Sequence, residues 1–224
     1  DPFFDLCCKD SHGVEVVDGV ENLRVAVRER FRTGSHAIKI MASGGVVSLT
    51  DPLRIPQYSA EEIQVVTEEA KRRNSYVAAH AYTADAVIHA VTNGVRSIEH
   101  GNLLNDEAAE IMATHGAVLV PTLVTYAAMA EHGADLGMSP IALDKNKEVL
   151  DSGRVAIERA QSAGVLVGFG TDLMGDLESE QLQGLRLQNE VQGTLELLRS
   201  VTARNAEILR ANDLGTIAVG SRAD

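Results

Sequence analysis

The chain has 224 residues, enough for one sizeable apolar core, and its net charge of −12 is spread through helical segments rather than gathered in a tail. That charge excludes electrostatic attraction to nucleic acid or to an anionic membrane surface, and no apolar stretch approaches the roughly 18 to 20 residues of a membrane-spanning helix. The two cysteines, Cys7 and Cys8, are neighbours in sequence and poorly placed to bond each other, so a reducing, cytoplasmic setting is expected. The chain opens on Asp1 rather than Met and closes on a strand-like segment, and both ends read as cut.

In chain order, residues 1–35 begin irregularly and then present Val20, Leu23, Val27 and Phe31 at helical spacing. A strand is predicted over about 36–41. It is followed by a loop that opens with Ala42-Ser43-Gly44-Gly45 and carries Asp51-Pro52 and Ile55-Pro56, which forbid regular helix and suggest a lid or binding loop. Ser59-Ala60-Glu61-Glu62 is a capping box for a helix over roughly 59–73, before a strand ending at His80. Thr83 caps the next helix, which stops near Gly94, and a strand runs on to His100. Asn105-Asp106-Glu107 starts a helix ending near Gly116, and Ala117 to Pro121 makes a further strand. One long helix is predicted from about Pro140 to Ala163, then a strand, Val165 to Phe169, leading to Asp172. Two short helices near 180–190 and 194–210 follow, and Leu214 to Gly220 reads as a final strand. The alternation yields five β/α units, three fewer than the eight of a closed parallel barrel of about 250 residues.

Four polar residues end the predicted strands or lie inside them: Lys39, His80, His100 and Asp172. In a parallel β/α barrel all strand C-termini open on one face, so these residues converge there. Two imidazoles, a carboxylate and a lysine suit a divalent ion such as zinc, provided the lysine has lost its positive charge. Taken singly each has a plainer reading. A lysine in an apolar strand usually snorkels, a strand-end histidine can be a satisfied core residue, and an aspartate after Gly170-Thr171 can cap the next segment. Glu99, beside His100, is expected on the opposite face of its strand, paired with an arginine of a covering helix. Ser43-Gly44-Gly45 offers backbone amides for an anion or simple loop flexibility, and His12, His36, His89, His115 and His132 are assigned to surface or ordinary packing.

Five segments taken together resemble the amidohydrolase superfamily, in its branch of binuclear zinc Xaa-Pro and Xaa-Arg or Xaa-Lys dipeptidases and carboxypeptidases. They are Ile38 to Gly45, Ala79-His80-Ala81-Tyr82-Thr83, Ser97 to Leu103, Val120-Pro121-Thr122-Leu123 and Gly168 to Asp172. The resemblance implies a distorted (β/α)8 TIM barrel, here incomplete, over residues 1–212. It implies the start of a return to a small β-sandwich over 213–224, where Gly215-Thr216-Ile217, Gly220 and Ala223-Asp224 match.

It further implies two divalent metal ions, with Lys39 carboxylated to a bridging carbamate, His80 and His100 on one ion and Asp172 on the other. Asp172 would also move the proton of a metal-bridging hydroxide, and Tyr82 would hydrogen-bond the carbonyl oxygen as it becomes an oxyanion. The implied reaction is hydrolysis of the amide bond of a dipeptide or N-acyl amino acid, a small-molecule substrate. A cyclic-amide or imidazolone-type hydrolase and a metal-free binding relative of the same barrel are the alternatives. A homo-oligomer is compatible with the relatives. The family's His-x-His pair at the end of the first barrel strand has no match here; residues upstream of Asp1 are expected to supply it, and this stretch alone is expected to turn over little substrate.

Overall fold

The computed structural model describes residues 14–222. The irregular opening of the chain, Cys7, Cys8, His12, Ala223 and Asp224 lie outside the described residues. Helix α1, Val20–Arg32, buries Leu23 and Val27 and packs on α2, Ala60–Arg72, to which it is tied by Arg24 and Arg28 on the buried Glu69 carboxylate. The capping box of α2 forms as expected: Glu62 N–H donates to Ser59 Oγ at 3.3 Å and Ser59 N–H to Glu62 Oε2 at 2.8 Å.

Strands β1 (Ile38–Met41), β2 (Val77–Thr83), β3 (Ser97–Leu103), β4 (Val118–Val120) and β5 (Leu166–Val167) form one parallel sheet in sequential order, with β1 and β5 at its edges, so the barrel is open. Helix α3 (Ala84–Thr92) is capped by Thr83, and α4 (Asp106–His115) is capped by Asn105 and ended by Gly116 at φ 64. Helices α5 (Leu123–His132), α6 (Pro140–Leu150) and α7 (Ser152–Ser162) connect β4 to β5. After β5 come a 3-10 turn at Gly175–Glu180, α8 (Gln181–Gln192), α9 (Thr194–Arg199), a π-helical turn at Ser200–Arg204 and α10 (Asn205–Ile208).

The main core lies between the sheet and these helices. Ile38 and Ile40 of β1 face it, which turns Lys39 and Met41 to the inner side of the sheet. A second apolar cluster, including Val46, Leu53, Tyr82, Tyr126, Met129 and Val149, sits above the strand ends. There the loop after β1 folds back: Ser43 bridges Pro56, and Gln57 N–H donates to the Ala42 carbonyl at 3.1 Å.

Two expectations are corrected. The long helix over 140–163 is two helices divided at Asp151. In a continuous helix the Val149 carbonyl would accept Gly153 N–H; here it accepts Asn102 Nδ2 from β3 at 2.9 Å. Gly153 permits that approach, because a Cβ there would meet Leu123 Cδ2 at 2.7 Å and Asn102 Nδ2 at 3.0 Å. Residues 214–220 form turns instead of a strand, with Ile217 and Val219 fully exposed and Arg222 N–H donating back to the Asp213 carbonyl at 2.7 Å. Among the described residues no neighbouring strand supplies the ladder that extended backbone requires.

Candidate active site

The strand C-termini open on one side, under the loop 42–59. His80 and His100 meet there with ring centroids 4.6 Å apart, Tyr82 stacks on His100 at 5.3 Å and meets the His80 ring edge-on at 4.8 Å. Asp172 Oδ2 stands 3.9 Å from His100 Nε2. Lys39 lies close enough for its charge to act on His80, His100 and Asp172 together. The structure thus brings all five predicted site residues to one mouth, although Asp172 follows β5 in an extended segment rather than ending the strand itself. That segment is held in line by Gly168 N–H on the Leu119 carbonyl at 2.8 Å and Gly170 N–H on the Pro121 carbonyl at 3.2 Å.

Two of these residues occupy left-handed backbone: His100 at φ 77 and Asp172 at φ 51. For a residue with a Cβ this costs of order 1–3 kcal/mol, and such strain concentrates at functional sites. At His100 the turn has a direct geometric effect. Strict alternation would place Glu99 and His100 on opposite faces, and Glu99 was expected outside, against an arginine. Instead Glu99 shares register with His80 and Val120, accepts Ser97 Oγ–H at 2.6 Å, and feels the charges of Lys39 and Asp172. It therefore lies on the inner face, and the positive φ swings the following imidazole back to join it. The register between β2 and β3 shifts at the same level, between Ala81 and Thr83.

Burial dominates the electrostatics. It pulls His80 down to about 4, against a hydrogen bond in which Nε2–H donates to the Gly44 carbonyl at 3.2 Å, and with Lys39 pulling further down. Burial also holds His100 well below the ordinary imidazole value, aided by His80 and Lys39, so both rings are neutral at pH 7. Desolvation raises Asp172, opposed by Lys39, and raises Glu99, opposed by the Ser97 hydrogen bond. His80 keeps a lone pair on Nδ1, while the buried His100 Nε2 has no hydrogen-bond partner.

Several residues at the mouth went unassigned in the sequence. Thr122 and Tyr126 link His100 to Tyr82: His100 Nδ1 and Thr122 Oγ1 are 2.8 Å apart, Thr122 Oγ1–H donates to Tyr126 Oη at 3.3 Å, and Tyr126 Oη–H to Tyr82 Oη at 3.0 Å. The available signal was the spacing of Tyr126 one helical turn beyond Thr122. Lys145 of α6 donates to the carbonyls of Gly45 at 3.1 Å, Ser48 at 2.6 Å and Asp51 at 2.6 Å, fastening the loop from beneath, and no local pattern announces it. Gly44 serves close backbone approach rather than an anion cradle, since a Cβ would meet the Pro52 and Asp51 carbonyl oxygens at 2.4 and 2.5 Å. His36, His89, His115 and His132 stand apart from the mouth: His89 Nε2–H donates to the Tyr58 carbonyl at 2.9 Å, and His115 Nδ1–H to that of Ile111 at 2.9 Å.

Fold and site together define a parallel β/α-barrel protein with its polar cluster at the C-terminal mouth, where barrel enzymes carry their chemistry. The Amidohydrolase family pattern matches residues 4–224, and the chain belongs to that family. Ochratoxinase of Aspergillus niger is 38% identical over 158 residues, covering 70% of this chain and 32% of that protein. Among solved structures, a prolidase complexed with N-methylphosphonate-L-proline is 51% identical with a TM-score of 0.92, over 94% of this chain and 52% of its own. A Xaa-Pro dipeptidase with methionine bound in its active site is 31% identical with a TM-score of 0.84, over 93% of this chain and 52% of its own. The chain therefore spans from about a third to about half the length of these relatives. No helix among the described residues is long and apolar enough to cross a membrane.

Proposed function

We propose that the protein carrying this chain is a metal-dependent hydrolase that cleaves the amide bond of a dipeptide or N-acyl amino acid, with Xaa-Pro compounds the first substrates to try. The observation that carries the reading is the convergence of two neutral imidazoles, a carboxylate and a lysine at one strand-end mouth, two of them in strained backbone. The 51% identical prolidase and the 38% identical ochratoxinase support the reaction class.

The residues fit a divalent ion, zinc being the first choice. His100 Nε2 is buried without a partner, and His80 Nδ1 is free to ligate. Among the described residues no three His, Cys, Asp or Glu side chains suffice for a site, so Lys39, carboxylated to an anion, would have to complete the set. His80 and His100 would hold one ion, Asp172 a second, and Lys39 both. When bound, such ions would supply an acidified water and a Lewis acid for the scissile carbonyl.

The chain's own side chains do the rest. Asp172, its proton affinity raised by burial, accepts a proton from the attacking water at Oδ2 and returns it to the departing amide nitrogen. Tyr82 Oη already accepts Tyr126 Oη–H, so its own O–H remains to donate to the carbonyl oxygen of the substrate. The loop 42–59, held by Lys145, keeps bulk water off the His80 side. The proposal also keeps the barrel over residues 1–212 and a cytoplasmic protein, with the segment from 213, whose residues 214–220 form turns, leading toward a β-sandwich.

The test is metal analysis and turnover of the full-length protein. Two equivalents of metal, and activity lost on chelation, support the reading; full activity without metal ends it. Lys39→Ala is expected to abolish activity, with partial rescue by short-chain carboxylic acids standing in for the carbamate. Unchanged activity of that variant refutes the bridging role.

A further inference from the structure

Thr122 sits at the residue before α5, the position from which a threonine hydroxyl normally accepts a backbone N–H of the first helical turn. It makes no such cap. Its hydroxyl is used sideways, between His100 and Tyr126, and both of these side chains are buried. A hydroxyl owns one proton. Given to Tyr126 Oη, that proton leaves Thr122 Oγ1 to accept from His100, which fixes the imidazole hydrogen on Nδ1. The other end closes the same way: Tyr126 gives its proton to Tyr82 Oη, so the Tyr82 proton has no acceptor within the chain of bonds.

We propose that Thr122 and Tyr126 are positioning residues whose one-way hydrogen-bond relay sets two things at once: the bare Nε2 lone pair of His100 facing the mouth, and the free O–H of Tyr82 facing the same space. The reverse polarity would put a proton on His100 Nε2, which has no hydrogen-bond partner, Asp172 Oδ2 standing 3.9 Å away and out of reach. A buried N–H without a partner is the rarer orphan. The relay also makes a non-local claim. Tyr126 Oη bonds no atom of His100, yet removing it deprives the Thr122 proton of its acceptor; that proton then turns to Nδ1 and drives the imidazole hydrogen to Nε2.

The ligand role of His100 rests on the function proposed above, whereas the tautomer does not, and the experiment separates them. Metal-stripped full-length protein labelled with nitrogen-15 in histidine reports the ring proton by long-range proton–nitrogen correlation at pH 8, with His100 assigned by its absence in His100→Asn. The expected wild-type state is Nδ1–H. Tyr126→Phe, which keeps the ring, and Thr122→Val should both move His100 toward Nε2–H, while Thr122→Ser retains the wild-type signal. Zinc affinity measured by competition should fall about tenfold or more in the first two and stay unchanged in Thr122→Ser. A wild-type proton on Nε2, or an unshifted tautomer in Tyr126→Phe, overturns the relay. If the tautomers respond as stated and the wild type binds no metal, the relay stands and the hydrolase reading falls.

Discussion

Replacing Lys145 by Met keeps the length of the stem and removes an ammonium that holds three carbonyls of the loop over the mouth, those of Gly45, Ser48 and Asp51. A buried hydrogen bond to a charged group contributes about 1.5–3 kcal/mol, and a partly exposed one less, because water can replace the donor. Taking ~1 kcal/mol for each carbonyl leaves ~3 kcal/mol that holds the loop shut in the wild type. At about 1.4 kcal/mol per factor of ten, its loss raises the open population roughly a hundredfold. Hydrogen exchange reads this at the Asp51, Ile55 and Gln57 amides, which donate to Ser48 Oγ, the Pro52 carbonyl and the Ala42 carbonyl. Those amides should exchange about a hundredfold faster in Lys145→Met, while amides of β2 and β3 stay within a factor of about three. Unchanged loop exchange refutes the clamp. Equal acceleration in the strands refutes its local character, and shows that Lys145 supports the whole fold.

Three further outcomes are expected. Arg28 first, then Arg24, hold the Glu69 carboxyl down to about 2 against the opposing effect of burial, compared with about 4.3 in the unfolded chain. Because the folded value is the lower, this stability is present above the unfolded pKa and lost as pH falls through the folded one. The stability gap between wild type and Glu69→Gln should be flat above about pH 5 and close between about pH 4 and 2, measured by denaturant titration at each pH. Gly153→Ala, with its Cβ only 2.7 Å from Leu123 Cδ2, should destabilise by about 1–3 kcal/mol and lower Tm by several degrees in calorimetry. Asp172→Asn should keep wild-type stability, since Asn tolerates the left-handed backbone at φ 51, yet lose turnover with its proton-accepting carboxylate; retained turnover would remove Asp172 from the mechanism.

Much of the architecture was legible in the sequence because its signals are local. Apolar runs mark the strands, Ser59, Thr83 and Asn105 mark helix starts, and Gly116 marks an end, each through bonds made within a few residues. The same locality singled out Lys39, His80, His100 and Tyr82, which lie within β1, β2 and β3, and Asp172 just beyond β5, since a polar group in or closing an apolar run is conspicuous whatever surrounds it.

Other features depended on competition through space. The Val149 carbonyl could serve Gly153 or Asn102, and only the packing of α6 and α7 against β3 decided for Asn102 and split the helix. Residues 214–220 have strand composition, but a strand needs a neighbour. Alternation placed Glu99 and His100 on opposite faces until a left-handed residue turned the second inward. Thr122 had a cap to make and made a relay instead, because His100 and Tyr126, distant and near in sequence, reached its hydroxyl first. The residues and their order thus determined which chemistry is possible, while the tertiary structure decided which face each polar group meets and which partner takes its single proton or lone pair. Those partners come from distant stretches of chain, and no short-range pattern encodes the outcome.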